Sequence, residues 1–380
     1  MKVAILETIA PSGHEVAFDK GFYDELKKQG HKPCFFVPEN YPFQDDYHND
    51  VQYLKGGEVI SYHHAGFFKK MTLSVTREMR RRKWFSSACT IAKEKGFDCI
   101  VIPTATPRYL KSILKCSMKN SSVPVIVNNQ VFSFEKKGRL EQFLSLAKKL
   151  EPYKNIHIAF TSPNHYLKDL KNVFYINPPF YGPTLIESKG PYDGHEPITI
   201  GMYGYYRDDE NTKELLNIFA KENFKTPVRV IMQTVTANEK DKLSCEEIVN
   251  ANQNNPRFSF TDAYLKGETW QKAIDDVDII LAPYASMQFY YTYSAMCFNA
   301  LGFKKPVMLA NTVNPHVLEQ FNVGLSLDFS DKEKLKESVV NFIDTYKEKY
   351  PLYEKEIEKA SLVYSFENVV KGLLKPVTDR

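Results

Sequence analysis

Short apolar runs alternate with amphipathic segments through the first 180 residues of the chain. The runs are apolar at successive positions instead of at every second one, which is typical of parallel strands covered on both faces. The pattern predicts strands at residues 3–6, 33–37, 99–103, 123–127 and 156–160, and helices at 14–29, 73–95, 108–118 and 138–150. This repeated strand–helix–strand order favours an open, doubly wound parallel sheet.

The same alternation begins again after residues 177–194, whose Pro and Gly content is typical of a linker. Strands are predicted at 198–203, 228–233, 258–260, 279–283 and 307–309, and helices at 210–221, 238–253, 267–274, 292–303 and 332–348. We therefore predict an α/β protein with two doubly wound, Rossmann-like domains, residues 1–180 and 181–350. Such domains bind ligands at the carboxyl ends of their strands, here in a cleft between the two. Residues 351–380 are expected to form a C-terminal helix that packs back across both domains.

The composition excludes several classes of protein. With 43% hydrophobic residues over 380 positions, each domain can bury its own core, and 25% charged residues argue against disorder. The acidic residue Glu7 follows the first short apolar run, and no run approaches the length of about 18 residues that a spanning helix needs. Six cysteines without a C-x-x-C pair favour free thiols over disulfides or zinc. We therefore expect a cytoplasmic protein without a spanning segment.

The net charge of +4 hides an asymmetry between the two halves of the chain. Residues 1–180 carry 27 Lys and Arg against 17 Asp and Glu, and residues 181–380 carry 23 against 29, which gives +10 and −6. An acidic second half, without a zinc finger, an RNP motif or a basic helix, argues against nucleic-acid binding. The basic first half suits an anionic surface or an anionic substrate.

Residues 67–85 combine a basic cluster with four aromatic residues, Phe67, Phe68, Trp84 and Phe85. Basic charge beside aromatic side chains is typical of peripheral contact with anionic lipid, which would place the protein at the inner face of the cell membrane. The alternative is a solvated basic helix whose aromatic residues turn into the core.

Residues 278–308 carry the most informative pattern, because a strand, a polar and aromatic loop, a helix and a Lys-Pro turn into another strand follow one another. At the start of the helix, the backbone N–H groups of Tyr293, Ser294 and Ala295 lack intrahelical acceptors, so that a diphosphate could bind there. The alternative is that Thr292 or Ser294 caps an ordinary helix.

The order of these segments resembles the GT-B glycosyltransferases, particularly the retaining group called family 4. The resemblance is carried by the run A-L-G-F-K-K-P-V at 300–307, the turn at 314–315, the later segment 323–327, and weaker matches at 161–165, 175–179, 200–207 and 260–264. It implies an N-terminal acceptor-binding domain and a C-terminal domain that binds a nucleotide-sugar, with UDP- or GDP-sugars as the expected donors. It also implies sugar transfer to a glycan, lipid-linked or protein-linked acceptor, as in bacterial surface polysaccharide or glycoconjugate synthesis, without a cofactor or a metal ion.

The sequence departs from the family at the acidic pair that contacts the donor sugar and the ribose. Tyr291 and Asn299 stand where the two glutamates of E-x7-E would be, which leaves the stereochemistry open. These two residues remain the candidates for the donor-sugar site. The glycine-rich acceptor loop is also replaced, by residues 10–14.

Further site residues follow from the charge of the leaving diphosphate, which needs cations and backbone donors when no metal is present. Arg207 and Lys213, near the start of a predicted helix, are the candidate cations, and Gly204 is the candidate turn residue before them. Their alternative role is a solvated helix edge. Asp262 and Tyr264 correspond to the family's base-recognition loop.

A general base would be needed if the reaction inverts the anomeric centre. His14 follows the first strand and is the candidate, with a surface or structural imidazole as the alternative. The three acids of residues 275–278 could suggest a metal site, but their positions at a helix end and a strand start argue against it. Rival functions are a sugar-nucleotide epimerase of the same fold and a two-domain protein that binds a small sugar or nucleotide ligand without catalysis.

Overall fold

A computed structural model describes residues 1–9, 14–43, 50–60, 67–130, 132–167 and 170–379, with the side chains of residues 14, 15 and 67–70 outside the description. The chain divides into two compact units, Met1–Pro178 with Phe366–Arg380, and Pro179–Ser365. We call them unit 1 and unit 2.

Most elements lie on an apolar run or an amphipathic segment of the sequence. The first half of the chain comprises β1 (Lys2–Leu6), α1 (His14–Lys28), β2 (Lys32–Pro38), β3 (Val51–Leu54), α2 (Phe67–Glu94), β4 (Cys99–Ala105), α3 (Pro107–Leu114), a 3-10 turn (Ser117–Asn120), β5 (Val125–Asn129), α4 (Arg139–Leu150), β6 (Ile156–Thr161) and β7 (Val173–Ile176). The second half comprises β8 (Ile198–Met202), α5 (Glu210–Lys221), β9 (Val228–Gln233), α6 (Glu239–Asn252), β10 (Phe258–Thr261), α7 (Gly267–Asp275), β11 (Ile279–Ala282), α8 (Gln288–Tyr291), α9 (Ala295–Gly302), β12 (Val307–Ala310), α10 (Pro315–Gln320), β13 (Gly324–Leu327), α11 (Lys332–Asp344), α12 (Tyr346–Val363) and α13 (Phe366–Thr378).

Both sheets are parallel. The sheet of unit 1 has the order β3-β2-β1-β4-β5-β6-β7, and that of unit 2 has the order β10-β9-β8-β11-β12-β13. The prediction of two doubly wound α/β sheets is confirmed. In each sheet the strand order reverses direction at one point, between β1 and β4 in unit 1 and between β8 and β11 in unit 2. The carboxyl ends of the strands on either side of such a point form a crevice where α/β proteins bind ligands.

Three strands escape the sequence pattern, namely β3, β7 and β13. All three lie at the edge of a sheet, with one neighbouring strand each. They are four residues long, and only the last residue of each is fully buried. An edge strand needs fewer apolar residues because one side of its backbone is not covered by another strand, and its pattern is correspondingly weak.

The C-terminal segment predicted as one helix consists of two, α12 and α13. The helix breaks because the C-cap residue of α12, Tyr364, leaves helical geometry with φ −97 and ψ 62. The apolar residues of α12, including Ile357 and Ala360, are buried in unit 2, and those of α13, including Leu373, are buried in unit 1. In unit 1 a Cβ on Gly21 of α1 would come within 2.3 Å of the Phe366 ring, so the close approach of α13 to α1 needs a glycine there.

All six cysteines are free in this structure, as the sequence predicts. Four of them are buried and two are half-buried. Burial raises the pKa of the Cys34, Cys89 and Cys245 thiols to about 11, which keeps these thiols protonated at neutral pH.

Candidate functional site

The loops after β8 and β11 meet at the carboxyl edge of the unit 2 sheet, where the strand order reverses. The Tyr284 hydroxyl donates to the backbone oxygen of Tyr203 at 3.3 Å. The Asp209 carboxylate accepts the N–H of Ala285 at 2.9 Å, and its other oxygen accepts the N–H of Asn211 at 2.9 Å as the N-cap of α5. One carboxylate therefore holds the start of α5 and the loop after β11 in register.

Arg207 lies on the loop after β8 between two anchored neighbours. On one side Tyr206 is buried, its N–H donates to Val235 at 2.8 Å, and its hydroxyl lies 2.9 Å from the hydroxyl of Ser244. On the other side the Asp208 N–H donates to the Asp241 carboxylate at 2.9 Å. The Arg207 side chain is exposed between them. A cation on a loop fixed at both sides loses little backbone freedom when it binds an anion.

The pKa of Tyr284 is shifted by burial and by charges on the neighbouring loop. Burial raises the pKa of Tyr284 to about 12. The positive charge of Arg207 opposes this rise in the pKa, and the negative charge of Asp209 adds to it. Tyr284 follows β11 and Arg207 follows β8, the two strands between which the strand order reverses.

Lys213, the second candidate cation, is ion-paired. Its Nζ lies 2.7 Å from the Asp208 carboxylate and 3.0 Å from that of Glu210. Asp208 also binds Lys240 at 3.0 Å and accepts from Ser244 at 2.8 Å. These hydrogen bonds hold the pKa of Asp208 well below its usual range and raise that of Lys213. The arrangement agrees with the helix-edge alternative for Lys213, whose role toward a ligand stays a prediction.

Helix α9 begins without a side-chain cap. Its N-cap residue, Ser294, makes no capping hydrogen bond. The backbone N–H of Ser294 donates instead to the buried Asn314 at 2.7 Å, so the N–H groups at this helix end that lack intrahelical acceptors begin at Ala295. The preceding Tyr293 is half-buried, and its hydroxyl lies 3.5 Å from that of Tyr181. The start of α9 carries the positive end of the helix dipole, and its role toward a diphosphate stays a prediction.

The two donor-sugar candidates, Tyr291 and Asn299, lie at this same loop and helix. Asn299 donates within α9 to the backbone oxygen of Ala295 at 2.7 Å. Tyr291 ends α8, with its ring against that of Tyr290. No Asp or Glu occurs in the sequence between Asp278 and Glu319, so the polar groups of these two candidates are an amide and a phenol.

Sequence reasoning missed Gln233, the last residue of β9. Its side-chain oxygen accepts the N–H of Gly204 at 2.8 Å, and its amide donates to the backbone oxygen of Ala263 at 2.8 Å. The side chain is buried. It therefore connects the loop after β8 to the loop after β10 that carries the exposed candidates Asp262 and Tyr264. A polar residue that closes an apolar strand at its carboxyl end is the signal that could have identified it.

Unit 1 has a polar network at the carboxyl end of β1. The Glu7 carboxylate accepts the N–H groups of Thr8 and Ile9, both at 2.6 Å, and the Thr8 hydroxyl lies 2.9 Å from that of the buried Tyr109. The guanidinium of Arg81 stacks on the Tyr109 ring at 4.4 Å. The first turn after β1 is thus held by groups from α2 and α3. The side chain of His14, the candidate base, lies outside the described residues, although α1 begins at this residue.

In the second half of helix α2 two aromatic residues turn into the core, as the alternative for residues 67–85 predicts. Trp84 and Phe85 are buried, and the Trp84 indole donates to Gly57 at 2.9 Å, so neither ring is available to a membrane. The side chains of Phe67 and Phe68 lie outside the described residues. The first half of α2 instead exposes three apolar side chains at helical spacing, Met71 (58%), Val75 (63%) and Met79 (56%).

Metal and membrane features were sought in the part of the chain that the structure describes. There, no group of three or more His, Cys, Asp and Glu side chains is arranged to hold a metal ion. Asp275, within the acidic run considered as a metal site, accepts from the Ser188 hydroxyl at 2.7 Å and from the Lys189 N–H at 2.8 Å. Among the described helices, none has the length and apolar character needed to cross a bilayer.

Comparison with solved structures finds similar folds over the whole chain. Sucrose-phosphate synthase from Thermosynechococcus elongatus is 11% identical with a TM-score of 0.67, over 100% of this chain and 98% of the other. HepE from Anabaena, in complex with UDP and glucose, is 12% identical with a TM-score of 0.64, over 100% of both chains. The lipopolysaccharide outer core galactosyltransferase WaaB, in its apo form, is 13% identical with a TM-score of 0.65, over 99% of both chains.

No protein-family model matches the sequence, and no curated protein sequence matches it. The likeness to these solved structures concerns the fold. Together with the two parallel sheets and their strand orders, it shows that the chain has the GT-B fold.

Proposed function

We propose that the protein is a glycosyltransferase that moves a sugar from a nucleotide-diphosphate donor to a glycan, lipid-linked or protein-linked acceptor. The observation that carries the proposal is the position of Arg207 on a loop anchored at both sides, at the carboxyl edge where the unit 2 sheet reverses. Unit 2 then binds the donor and unit 1 binds the acceptor. Synthesis of bacterial surface polysaccharide or glycoconjugate is the setting that we propose.

The chemistry requires stabilisation of the nucleoside diphosphate as its bond to the sugar breaks. In the proposal, Arg207 and the backbone N–H groups at the start of α9 bind the diphosphate, without a divalent metal ion. Fixed donors of this kind stabilise developing charge because they need not reorganise during the reaction. Lys213 supports the same charge from the edge of α5, and Tyr291 and Asn299 contact the donor sugar.

Solved structures of the same fold support the choice of donor. HepE from Anabaena has been solved with UDP and with UDP-glucose. We propose a UDP- or GDP-sugar as the co-substrate here, bound through Gly204, Asp262 and Tyr264 at the base and ribose. For an inverting reaction, His14 is the proposed general base that accepts the proton of the acceptor hydroxyl.

The binding test is thermal unfolding with UDP, GDP, CMP, dTDP and ADP, each with and without EDTA. A ligand of the folded state raises the unfolding midpoint. We expect one nucleotide to do so whether or not EDTA is present. Arg207→Ala should lower the affinity for that nucleotide about 10- to 100-fold, since charge-assisted hydrogen bonds are worth about 1.5–3 kcal/mol. Arg229→Ala is the matched control, because Arg229 is exposed in the same unit near the amino end of β9.

Catalysis is tested separately, by slow hydrolysis of the matching nucleotide-sugar without an acceptor. The natural protein should release the nucleoside diphosphate, and Arg207→Ala should release much less. This pair of results would support a transferase. Binding without any hydrolysis or transfer would favour a protein that only binds its ligand, and no midpoint shift with any nucleotide would refute the donor site.

We also propose that the protein is cytoplasmic and contacts the membrane peripherally through residues 67–85. The apolar side chains that make this contact differ from those that the sequence suggested. The exposed stripe Met71, Val75 and Met79 supplies the apolar face, and the surplus of 27 basic over 17 acidic residues in positions 1–180 supplies attraction to anionic lipid. Flotation with vesicles tests it. The protein should float with vesicles that contain anionic lipid, and Val75→Glu should reduce flotation, while Leu352→Glu, at an exposed position of α12, should not.

A further inference from the structure

A pocket lies at the amino ends of β5 and β6 in unit 1, at the edge of the sheet opposite to its crevice. It is open to solvent and has a volume of about 850 Å³. β5 and β6 are five and six residues long, so about 13–17 Å of strand separate this pocket from the carboxyl edge. We call it the amino-edge pocket. Its polar lining comes from the turns before the two strands and from the start of β6, namely Lys119, Asn120, Ser121, Lys154, Asn155 and His157.

Hydrogen bonds fix the two turns of the pocket to one another. The N–H of Val125 donates to the backbone oxygen of Asn155 at 2.8 Å, and the side-chain amide of Asn155 donates to the backbone oxygen of Met118 at 3.3 Å. The same Met118 oxygen accepts the N–H of Ser121 at 3.0 Å. A ligand would therefore meet side chains on turns whose spacing is already set, which lowers the entropic cost of binding.

Lys119 is held at the pocket without a carboxylate. Its Nζ donates to the backbone oxygen of Leu114 at 3.2 Å and lies 5.8 Å from the centroid of the Tyr153 ring. A lysine ammonium has three N–H donors and this hydrogen bond uses one of them, so the charge and further donors remain for a ligand.

The charge of the amino-edge pocket is positive. Among the residues that line it there are two lysines and no Asp or Glu. Residues 99–134, which lead to and from its first turn, contain four basic residues and no acidic one. The acid nearest to Lys154 along the chain is Glu151, whose carboxylate accepts the N–H of Lys171 at 3.2 Å.

Helix ends account for other lysines of unit 1 but not for these two. Lys111 and Lys148 lie in the last turns of α3 and α4, where the negative end of the helix dipole stabilises a cation. Lys119 lies in the 3-10 turn, and Lys154 lies in the turn before β6. Their position on one pocket favours an anionic ligand.

We propose that the amino-edge pocket binds the phosphate group of a phosphate monoester, with Lys119 and Lys154 as its cations and the exposed Asn120 amide as a further donor. A phosphate monoester is a compact group with close to two negative charges and three strong acceptor oxygens, and lysine binds phosphate as a point charge. Soluble phosphate monoesters and lipid headgroups that end in a phosphate share this chemistry. The site is separate from the donor site in unit 2 and does not depend on the proposed function.

The experiment measures the binding of glycerol 3-phosphate and of uncharged glycerol to the full chain by calorimetry. We expect the natural protein to bind glycerol 3-phosphate with a Kd of about 1 mM or lower and not to bind glycerol. The double variant Lys119→Gln/Lys154→Gln should bind glycerol 3-phosphate at least about tenfold more weakly, because two charge-assisted hydrogen bonds are lost.

Three further variants separate the pocket from general charge, from folding and from the donor site. Lys111→Gln/Lys148→Gln is the matched control, since it removes the same charge at exposed positions of unit 1 outside the lining, and its affinity should stay within about twofold. Lys119→Arg keeps the charge and should retain most of the affinity. Arg207→Ala should bind glycerol 3-phosphate as the natural protein does.

Flotation with vesicles distinguishes the two sources of the phosphate. Phosphatidic acid carries a phosphate monoester in its headgroup, whereas the phosphate of phosphatidylglycerol is a diester. If the double variant floats less than the natural protein with phosphatidic acid only, the ligand is a lipid headgroup. If the two proteins float alike with both lipids while their affinities for glycerol 3-phosphate differ, the ligand is soluble.

Three results would overturn the proposal. The first is a natural protein that does not bind glycerol 3-phosphate. The second is an equal loss in the Lys111→Gln/Lys148→Gln control, because the net charge of the unit would then explain the binding. The third is a loss in Arg207→Ala, because the phosphate would then bind at the donor site. None of these results decides whether the protein is a transferase.

Discussion

The side-chain oxygen of Asn314 accepts the backbone N–H of Ser294 at 2.7 Å, at the entrance to α9. The amide of the same Asn314 donates to the backbone oxygens of Phe289 and Thr292, at 2.9 and 2.7 Å. Asn314 is fully buried and has φ +46, in the left-handed region that asparagine tolerates better than most residues. One side chain after β12 therefore shapes the loop that leads from β11 to the proposed diphosphate site.

Replacement of Asn314 should destabilise unit 2 and distort the start of α9. We expect Asn314→Ala to lower the free energy of unfolding by about 3 kcal/mol, because buried backbone groups lose their partners. Asn314→Gly restores the left-handed backbone and should recover about 1 kcal/mol of that loss. Urea denaturation measures both. Equal stability of the two variants would mean that the left-handed backbone conformation at residue 314 does not affect the free energy of unfolding.

Gly324 is required where β13 pairs with β12. Its φ is +154, and a Cβ would come within 1.9 Å of the Val307 oxygen, so the two strands would have to separate. We expect Gly324→Ala to cost about 3 kcal/mol or more. Gly190→Ala is the control, since Gly190 also has a positive φ, +87, but nothing within 4 Å; it should cost about 1 kcal/mol. Similar losses in thermal or urea unfolding would refute the role of the contact.

His195 should make the stability of unit 2 depend on pH above about 6.5. Burial opposes its protonation, but the hydrogen bond to Asp193 at 2.6 Å and the nearby charge of Asp278, 3.2 Å away, raise its pKa overall. A raised pKa in the folded state contributes stability that is fully present below the unfolded value and is lost as the pH rises through the folded value. As the pH rises above about 6.5, we expect the unfolding midpoint of the natural protein to fall more steeply than that of His195→Gln. Parallel pH profiles would exclude the contribution.

Lys213 and Arg207 should differ in their effect on nucleotide binding. Asp208 and Glu210 already pair with Lys213. We therefore expect Lys213→Met to lower the affinity for the nucleotide about fivefold at most, whereas Arg207→Ala should lower it about 10- to 100-fold. Calorimetric titration with the stabilising nucleotide measures the two. A larger loss in Lys213→Met would show that this lysine leaves its acidic partners for the ligand.

The sequence predicts most of the fold because burial of a strand or helix leaves a local pattern. The central strands of both sheets are continuous apolar runs, and their prediction is confirmed. The edge strands β3, β7 and β13 are not visible as apolar runs, because half-buried strands lack them. The break between α12 and α13 at residue 364 was also missed, since apolar residues continue at helical spacing on both sides of it.

The candidate site was predictable only in part. Arg207, Ser294 and Tyr264 could be proposed from the order of segments, since each follows or begins an element that the pattern locates. For Trp84 and Phe85 the sequence leaves membrane contact and core packing open, and the structure shows that both are buried. The basic side chains around them suggested exposure, but a helix of 28 residues can be exposed in its first half and covered in its second.

The sequence by itself determined the two parallel α/β sheets and the loops at the carboxyl ends of their strands, because these depend on hydrophobic periodicity over a few residues. Only the tertiary structure decided which side chains act together. Gln233 meets Gly204 and Ala263, which lie 29 and 30 residues away, because β9 pairs with β8 on one side and β10 on the other. Such partnerships depend on strand order and register, and hydrogen-bonding groups distant in the chain leave no local pattern from which to predict them.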